Sequence, residues 1–374
     1  MDFQGHVLSD RATTLPGRYY TSPEIFAREQ ERIFSRRWVC VGRASDLARP
    51  GDYACPRIAG ESLIAVRGKD GRARAFYNVC RHRGTRICTD ERGHVAGGLT
   101  CPYHGWTYGL DGALLGAPLM GEVAWFDKAD HPLEPAGLEE WEGFLFAHLE
   151  PRGAPPLSEA LRTLAGRFDP WRLSELVTAR RIDYDVRTNW KLIFQNFSEC
   201  YHCPPVHPAL AKISHYRSGA NDLREGGLLG GYMLINDGTE SLTMSGRLCG
   251  SPIAELPAEQ RRRVYYYSLY PSLFLTIQPD FVMATRIEPL AADRTHITAE
   301  WLFAPEATSR PGFDPSDGVE LWDLTNRQDW RMCELALEGI SSRAYRPGLY
   351  SADESLLAAF DEDYLASLGE RPTG

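Results

Sequence analysis

No run of about 18 consecutive apolar residues occurs in the 374-residue chain, so the sequence offers no membrane-spanning helix. A basic excess is also missing. Lys and Arg number 41 against 50 Asp and Glu, a formal charge of −9, and no basic patch stands out, so nucleic acid is not an expected partner. The opening MDFQGHVLSD has neither the basic n-region nor the apolar h-region of a signal peptide, and the chain reads as cytoplasmic. There is no internal repeat, no low-complexity tract, no G-x-G-x-x-G and no plant-type four-cysteine ferredoxin spacing. Disulfide staples are not required either. With 374 residues and 43% hydrophobic content the chain can bury a large core in two or three domains.

What is present is an odd set of nine cysteines. In a reducing compartment thiols serve metals or sit buried more often than they pair. Cys80, Cys101, Cys200 and Cys203 lie close to histidines, whereas Cys40, Cys55, Cys88, Cys249 and Cys333 do not and read as small buried hydrophobes.

The texture of the chain changes twice. Residues 1–37 form an N-terminal segment with a helix over 22–37, Ser22 as its cap and Pro23 in its first position. From Trp38 short β-like runs such as Ser62–Val66 and Ala75–Val79 alternate with turn residues, the pattern of a small all-β domain over 38–155 that ends at Arg152-Gly-Ala-Pro-Pro156. The rest, 156–374, is mixed. Helical patterns cover 157–166, Thr188–Tyr201 and Gly318–Gly339, the last closed by Gly339, and five strand-like runs between 228 and 303 suggest an antiparallel sheet.

Two constellations carry chemistry. Cys80-Arg-His82 and Cys101-Pro-Tyr-His104 stand eighteen residues apart, each with one thiol and one imidazole. A 2Fe–2S centre of Rieske type needs this set, two thiolates on one iron and two imidazoles on the other. A structural zinc site is the alternative for the same four residues. The second constellation is Glu199-Cys-Tyr-His202 followed by Cys203-Pro-Pro-Val-His207. On a continuous helix His202 and His207 would diverge by about 140°, but Pro204 and Pro205 are expected to break the helix and bring both to one metal. Two His and one carboxylate leave positions open on a non-haem iron.

The flanks Cys80-Arg-His-Arg-Gly84 and Cys101-Pro-Tyr-His-Gly-Trp106, with Glu199-Cys-Tyr-His-Cys-Pro204, Trp322-Asp-Leu-Thr-Asn-Arg-Gln-Asp329 and Ser342-Arg-Ala-Tyr-Arg-Pro-Gly348, resemble Rieske non-haem iron oxygenase alpha subunits. The likeness covers about residues 15–365 and is strongest to the branch acting on glycine betaine, stachydrine, carnitine or choline. It implies an α+β fold: an antiparallel β Rieske domain, then a helix-grip catalytic domain, START/Bet v 1-like, whose antiparallel sheet wraps a long C-terminal helix and on which the helix before residue 38 packs. It makes Cys80, His82, Cys101 and His104 the 2Fe–2S ligands, and His202, His207 and an acid of the late helix the Fe(II) ligands. Asp323 is the chosen acid, with Glu320 and Asp329 as rivals. Glu199 maps onto the family's bridge between the two metals.

The implied activity is O2-dependent hydroxylation, N-demethylation or monooxygenation of a quaternary ammonium compound. An aromatic ring dioxygenase and an electron-transfer or ligand-binding protein without oxygenase activity are the alternatives. Electrons would come from NADH or NADPH through a separate flavin/iron–sulfur reductase, and the family implies a homotrimer. A methylammonium group calls for aromatic faces. Tyr265 and Tyr267, alternate residues of one strand and so on one side, with Phe274 and Phe281, are the candidates for that cage.

Overall fold

Where the sequence alternates short β-branched and aromatic runs with turns, sheets form. The protein, described here from a computed structural model over residues 12–253 and 256–370, divides into two compact units. One is Phe34–Arg162; the other combines the chain up to Ile33 with everything from Thr163 onward.

In the Phe34–Arg162 unit the main sheet is antiparallel. Its order is Val39–Arg43, Phe144–His148, Pro135–Trp141, Ala73–Tyr77, Glu61–Arg67, Asp52–Ala54 and Arg92–His94, with Arg57–Ile58 pairing Glu61–Arg67. A small three-stranded sheet, Leu99–Thr100, Thr107–Tyr108 and Leu114–Gly116, stands apart. The Cys80–His82 loop follows Ala73–Tyr77, and Cys101–His104 occupies the turn between the first two short strands. Ile64, Val66, Phe76, Leu99, Trp106 and Tyr108 make the apolar core beneath both loops.

The second unit is built on seven antiparallel strands: β1 (Val177–Val186), β2 (Ala220–Glu225), β3 (Leu228–Leu234), β4 (Arg263–Leu269), β5 (Leu273–Ile277), β6 (Phe281–Ala291) and β7 (Arg294–Phe303). Their spatial order is β1-β7-β6-β5-β4-β3-β2. Six helices serve the argument below: α1 (Pro23–Glu29), α2 (Trp190–Phe197), α3 (Cys203–Val206), α4 (Pro208–Ile213), α5 (Ser316–Ile340) and α6 (Ser355–Ser367). The mixed class, the antiparallel sheets and the long late helix match the expectation from sequence. No described helix is long and apolar enough to cross a membrane.

Local chemistry explains the helix ends. The Ser22 hydroxyl accepts the Ile25 amide hydrogen at 3.1 Å, and Asn189 accepts that of Lys191 at 3.1 Å, so both α1 and α2 begin at capped residues. α1 is continued by a wider turn over Gln30–Phe34. Gly339 lies inside α5 rather than closing it, and Ser341 follows the last helical residue. The N-terminal segment is tied to its unit by a buried network. Glu29 accepts from Trp190 Nε1 at 2.8 Å, Lys191 Nζ at 2.5 Å and the Tyr364 hydroxyl at 2.5 Å.

Candidate metal centres and a cavity

The two cysteine–histidine loops have the same backbone design. Cys80 N–H donates to Thr85 O at 2.8 Å and Gly84 N–H to Cys80 O at 3.0 Å; Cys101 N–H donates to Trp106 O at 2.8 Å and Gly105 N–H to Cys101 O at 3.1 Å. Gly84 and Gly105 both hold left-handed backbone, φ 77° and 71°, which glycine adopts without a side-chain clash. The result is two matching knuckles. Their His82 and His104 rings stand 4.7 Å apart, and His82 stacks on Trp106 at 4.9 Å. Cys80 and Cys101 are buried; the Cys80 sulfur also meets the Tyr108 hydroxyl at 3.3 Å.

One atom tests the fit of a cluster here. His82 Nδ1 is buried and has no hydrogen-bond partner among the described residues. A buried imidazole nitrogen left alone is costly, and a metal ion held by the Cys2His2 set would be its partner. Desolvation, then the charges of His104 and Arg83, hold the His82 pKa below the usual histidine value, which favours the neutral ligating form.

The second centre lies within the other unit. α2 stops at Phe197, and the chain turns through Ser198–Tyr201 before α3 begins at Cys203. The bend thus comes earlier than the sequence suggested. Pro204 sits in the first turn of α3, where a missing amide hydrogen costs nothing, and does not break a helix after His202. His202 Nε2 and His207 Nε2 end 3.2 Å apart. Asp329 Oδ1, from α5, lies 3.2 Å from the first and 2.8 Å from the second.

Asp323 is not the third member. Its carboxylate accepts from the Tyr184 hydroxyl of β1 at 2.7 Å and pairs with Arg327 at 2.9 Å. Six residues separate it from Asp329, which puts it about 120° round the helix. The α5 stripe that faces the histidines is Trp322, Thr325, Asn326, Asp329 and Trp330. The expectation for Asp323 is therefore corrected to Asp329. Glu320 is exposed.

Each histidine is oriented through its other nitrogen. Glu199 Oε1 sits 2.6 Å from His202 Nδ1, while Glu199 Oε2 accepts from the backbone amides of Tyr201 and His202. His207 Nδ1 donates to Gln328 Oε1 at 2.8 Å. Both Nε2 atoms are thus left to face Asp329, the arrangement by which outer partners fix ligand tautomers. Asn196 Nδ2 also donates to Asp329 Oδ1 at 3.1 Å. Gln328 and Asn196 were missed as site residues; the only signal was adjacency to Asp329 and position on the α2 face.

Electrostatics agree with a cation site. Burial opposes charge on His202, but bonds to Asp329 and Glu199 outweigh it and push its pKa up to about 10. Burial likewise opposes ionisation of Asp329, and the two histidines nonetheless hold its pKa below the usual value. The 2.8–3.2 Å separations also suit three ligands of one ion, since bonds of about 2.1 Å at right angles place donors about 3.0 Å apart. Two imidazoles and one carboxylate on one side of an open cavity are a fitting set for iron.

Cys200 and Cys203 both line the cavity beside the histidines, and a disulfide joins them. The turn between α2 and α3 brings their Cα atoms to 5.0 Å, within bridging range.

The cavity runs from these histidines across the inner face of the sheet. Tyr266 and Ser268 of β4, Phe274 of β5, and Met283 and Thr285 of β6 line it, with Phe197 and Trp322 from the helices. Phe274 was expected there. Tyr265 and Tyr267 were expected too, and the structure places them on the opposite face. Tyr265 packs edge-on to Trp171, and Tyr267 bonds Asp222 and Arg167. Phe281 stacks on Phe303 at 5.2 Å and does not reach the cavity. The strand alternation was read correctly and its phase inverted, because all three tyrosines are large enough to fill either face.

Comparison with known proteins returns two family matches: ring hydroxylating alpha subunit (catalytic domain) over residues 173–370, and Rieske 2Fe-2S domain over residues 37–127. The glycine betaine monooxygenase oxygenase subunit of Chromohalobacter salexigens is 32% identical over 368 residues, covering 90% of this chain and 82% of that one. The carnitine monooxygenase oxygenase subunit of Escherichia coli K12 is 32% identical over 362 residues, covering 92% and 89%. A solved structure of the quaternary ammonium Rieske monooxygenase CntA in complex with L-carnitine is similar with a TM-score of 0.80 at 28% identity, covering 96% of each chain.

Proposed function

The chain belongs to the Rieske-type ring-hydroxylating oxygenase alpha subunits, and on that premise we propose that it hydroxylates a carbon next to the nitrogen of a methylated ammonium substrate. The observation that carries the reading is the convergence of His202 Nε2, His207 Nε2 and Asp329 Oδ1 at one end of a cavity walled by Phe197, Tyr266, Phe274 and Trp322. Aromatic faces attract a cation that cannot donate a hydrogen bond. The relatives named for glycine betaine and carnitine support the same class.

Cys80, His82, Cys101 and His104 would hold the 2Fe–2S cluster, and His202, His207 and Asp329 the mononuclear Fe(II). When bound, these groups supply stored electrons and the activation of O2. The chain's own part is positional. Glu199 and Gln328 fix the two imidazoles, Asn196 steadies Asp329, and the aromatic wall excludes water and presents a methyl group to the open side. Per turnover, one substrate, one O2, two electrons and two protons give one hydroxylated substrate and one water. An N-methyl carbinol so formed collapses to formaldehyde and the demethylated amine.

Electrons would come from NADH or NADPH through a separate flavin/iron–sulfur reductase, and Glu199, bonded to His202, would link that histidine to the cluster of a neighbouring copy in a homotrimer. Tyr103, Leu119 and Trp125 of the cluster-bearing unit are exposed. Oxygen uptake and product mass spectrometry with a surrogate reductase, across betaines, choline and arenes, test the proposal. Formaldehyde released in step with oxygen from a methylammonium is the expected result; cis-dihydrodiols from arenes, with no methylammonium turned over, would replace it with the ring-dioxygenase reading.

A further inference from the structure

Three consecutive tyrosines sit on β4, and only the outer two have partners for their hydroxyl or ring on the far face. Tyr267 donates to Asp222 at 3.0 Å, and Tyr265 stacks against Tyr267 with centroids 6.2 Å apart. Tyr266 points the other way, into the cavity. Its ring is held between Phe197 and Trp322, each with its centroid 6.2 Å away. Its hydroxyl is buried and has no hydrogen-bond partner among the described residues.

A phenol fixed in this way is an unfilled donor. Burial, then the charge of nearby Asp329, raises its pKa, so it keeps its proton. Asp329 lines the same cavity, and no hydrogen bond joins it to this hydroxyl. A buried hydroxyl without an acceptor costs free energy that an incoming oxygen atom recovers.

We propose that Tyr266 donates its hydroxyl hydrogen to an acceptor oxygen of the substrate, a carboxylate or hydroxyl carried by the methylammonium, and so sets which methyl group lies against His202, His207 and Asp329. The inference rests on the methylammonium reading above and narrows it to oxygen-bearing members of that class. Tyr266 is a substrate-binding residue in this scheme: its ring belongs to the aromatic wall, and its hydroxyl selects by the presence of the oxygen.

The test is a cycle of two ligands and two proteins. Dissociation constants of glycine betaine and of ethyltrimethylammonium, which has the cation without any oxygen, are measured by calorimetry under anaerobic conditions for the metal-loaded wild type and for Tyr266→Phe. The variant should bind glycine betaine about tenfold more weakly and ethyltrimethylammonium within about twofold of wild type. Equal losses for both ligands would mean that the ring only packs, and no loss for either would mean that the hydroxyl meets nothing; each overturns the proposal. If the wild type binds naphthalene and neither cation, the methylammonium reading itself fails, an outcome distinct from the first two.

Discussion

Asp323 and Asp329 share one helix, and their fates show how much a single residue's phase decides. Asp329 meets both histidines; Asp323 is engaged by Tyr184 and Arg327. Asp329→Ala should therefore lose the mononuclear iron and product formation while the visible spectrum of the cluster persists, whereas Asp323→Ala should keep both. Metal analysis beside absorption spectra decides between them. The sequence made both acids eligible, and the resemblance pointed only to an acid on this helix; choosing between them needs the stripe of Trp322, Thr325, Asn326 and Trp330, which is visible only once the sheet is in place. Glu199 was legible from its position three before His202, and its carboxylate does lie 2.6 Å from His202 Nδ1. For Glu199→Gln, both metals should be retained while oxidation of the reduced cluster, followed in a single turnover with O2 and substrate, slows by at least about 10-fold, the loss expected when one charged hydrogen bond of about 1.5 kcal/mol is weakened. Wild-type rates in that variant would rule out the bridging role.

At the scale of elements, the strands of the sheet core were readable and its edges were not. β3 to β7 are dense in Val, Leu, Ile, Phe and Tyr, whereas β1, with Arg180, Arg181, Asp183 and Asp185, carries the charges of an edge strand and gives no clear apolar pattern. The N-terminal helix was expected to pack on the catalytic domain, but the residues of its contact with α2 were not legible, because that contact is polar. Glu29 and Lys191 are both fully buried as a pair. Glu29→Gln leaves the ammonium without its counter-charge and should destabilise the unit by about 3–5 kcal/mol, measured by chemical denaturation. Asp361 of α6 accepts from Gln195 at 2.7 Å and from Tyr350 at 2.8 Å. Burial raises its pKa to about 7 against the lowering effect of those bonds. Its folded value thus exceeds its unfolded value of about 4. Below about pH 4 the group is neutral in both states. Between about 4 and 7 the unfolded chain releases the proton while the folded chain keeps it, so the group lowers stability progressively as pH rises, and no further above about 7. The stability of Asp361→Asn relative to wild type should therefore climb across that window, by at most about 4 kcal/mol; a flat difference would show that Asp361 ionises normally.

For the whole molecule, the two ligand sets gave away the class because each is local: Cys-x-His and Cys-x-x-His on two loops, and two histidines five residues apart. The cavity was not legible, since it is assembled from strands and helices distant in sequence. The account stands or falls on whether one chain carries both centres with Asp329 as the carboxylate of the second. The direct measurement is iron and acid-labile sulfide per chain in anaerobically purified wild type and Asp329→Ala. The expected result is about three irons and two sulfides in the wild type, and about two of each in the variant. Stoichiometric zinc without sulfide in the wild type, or an unchanged third iron in the variant, would contradict it.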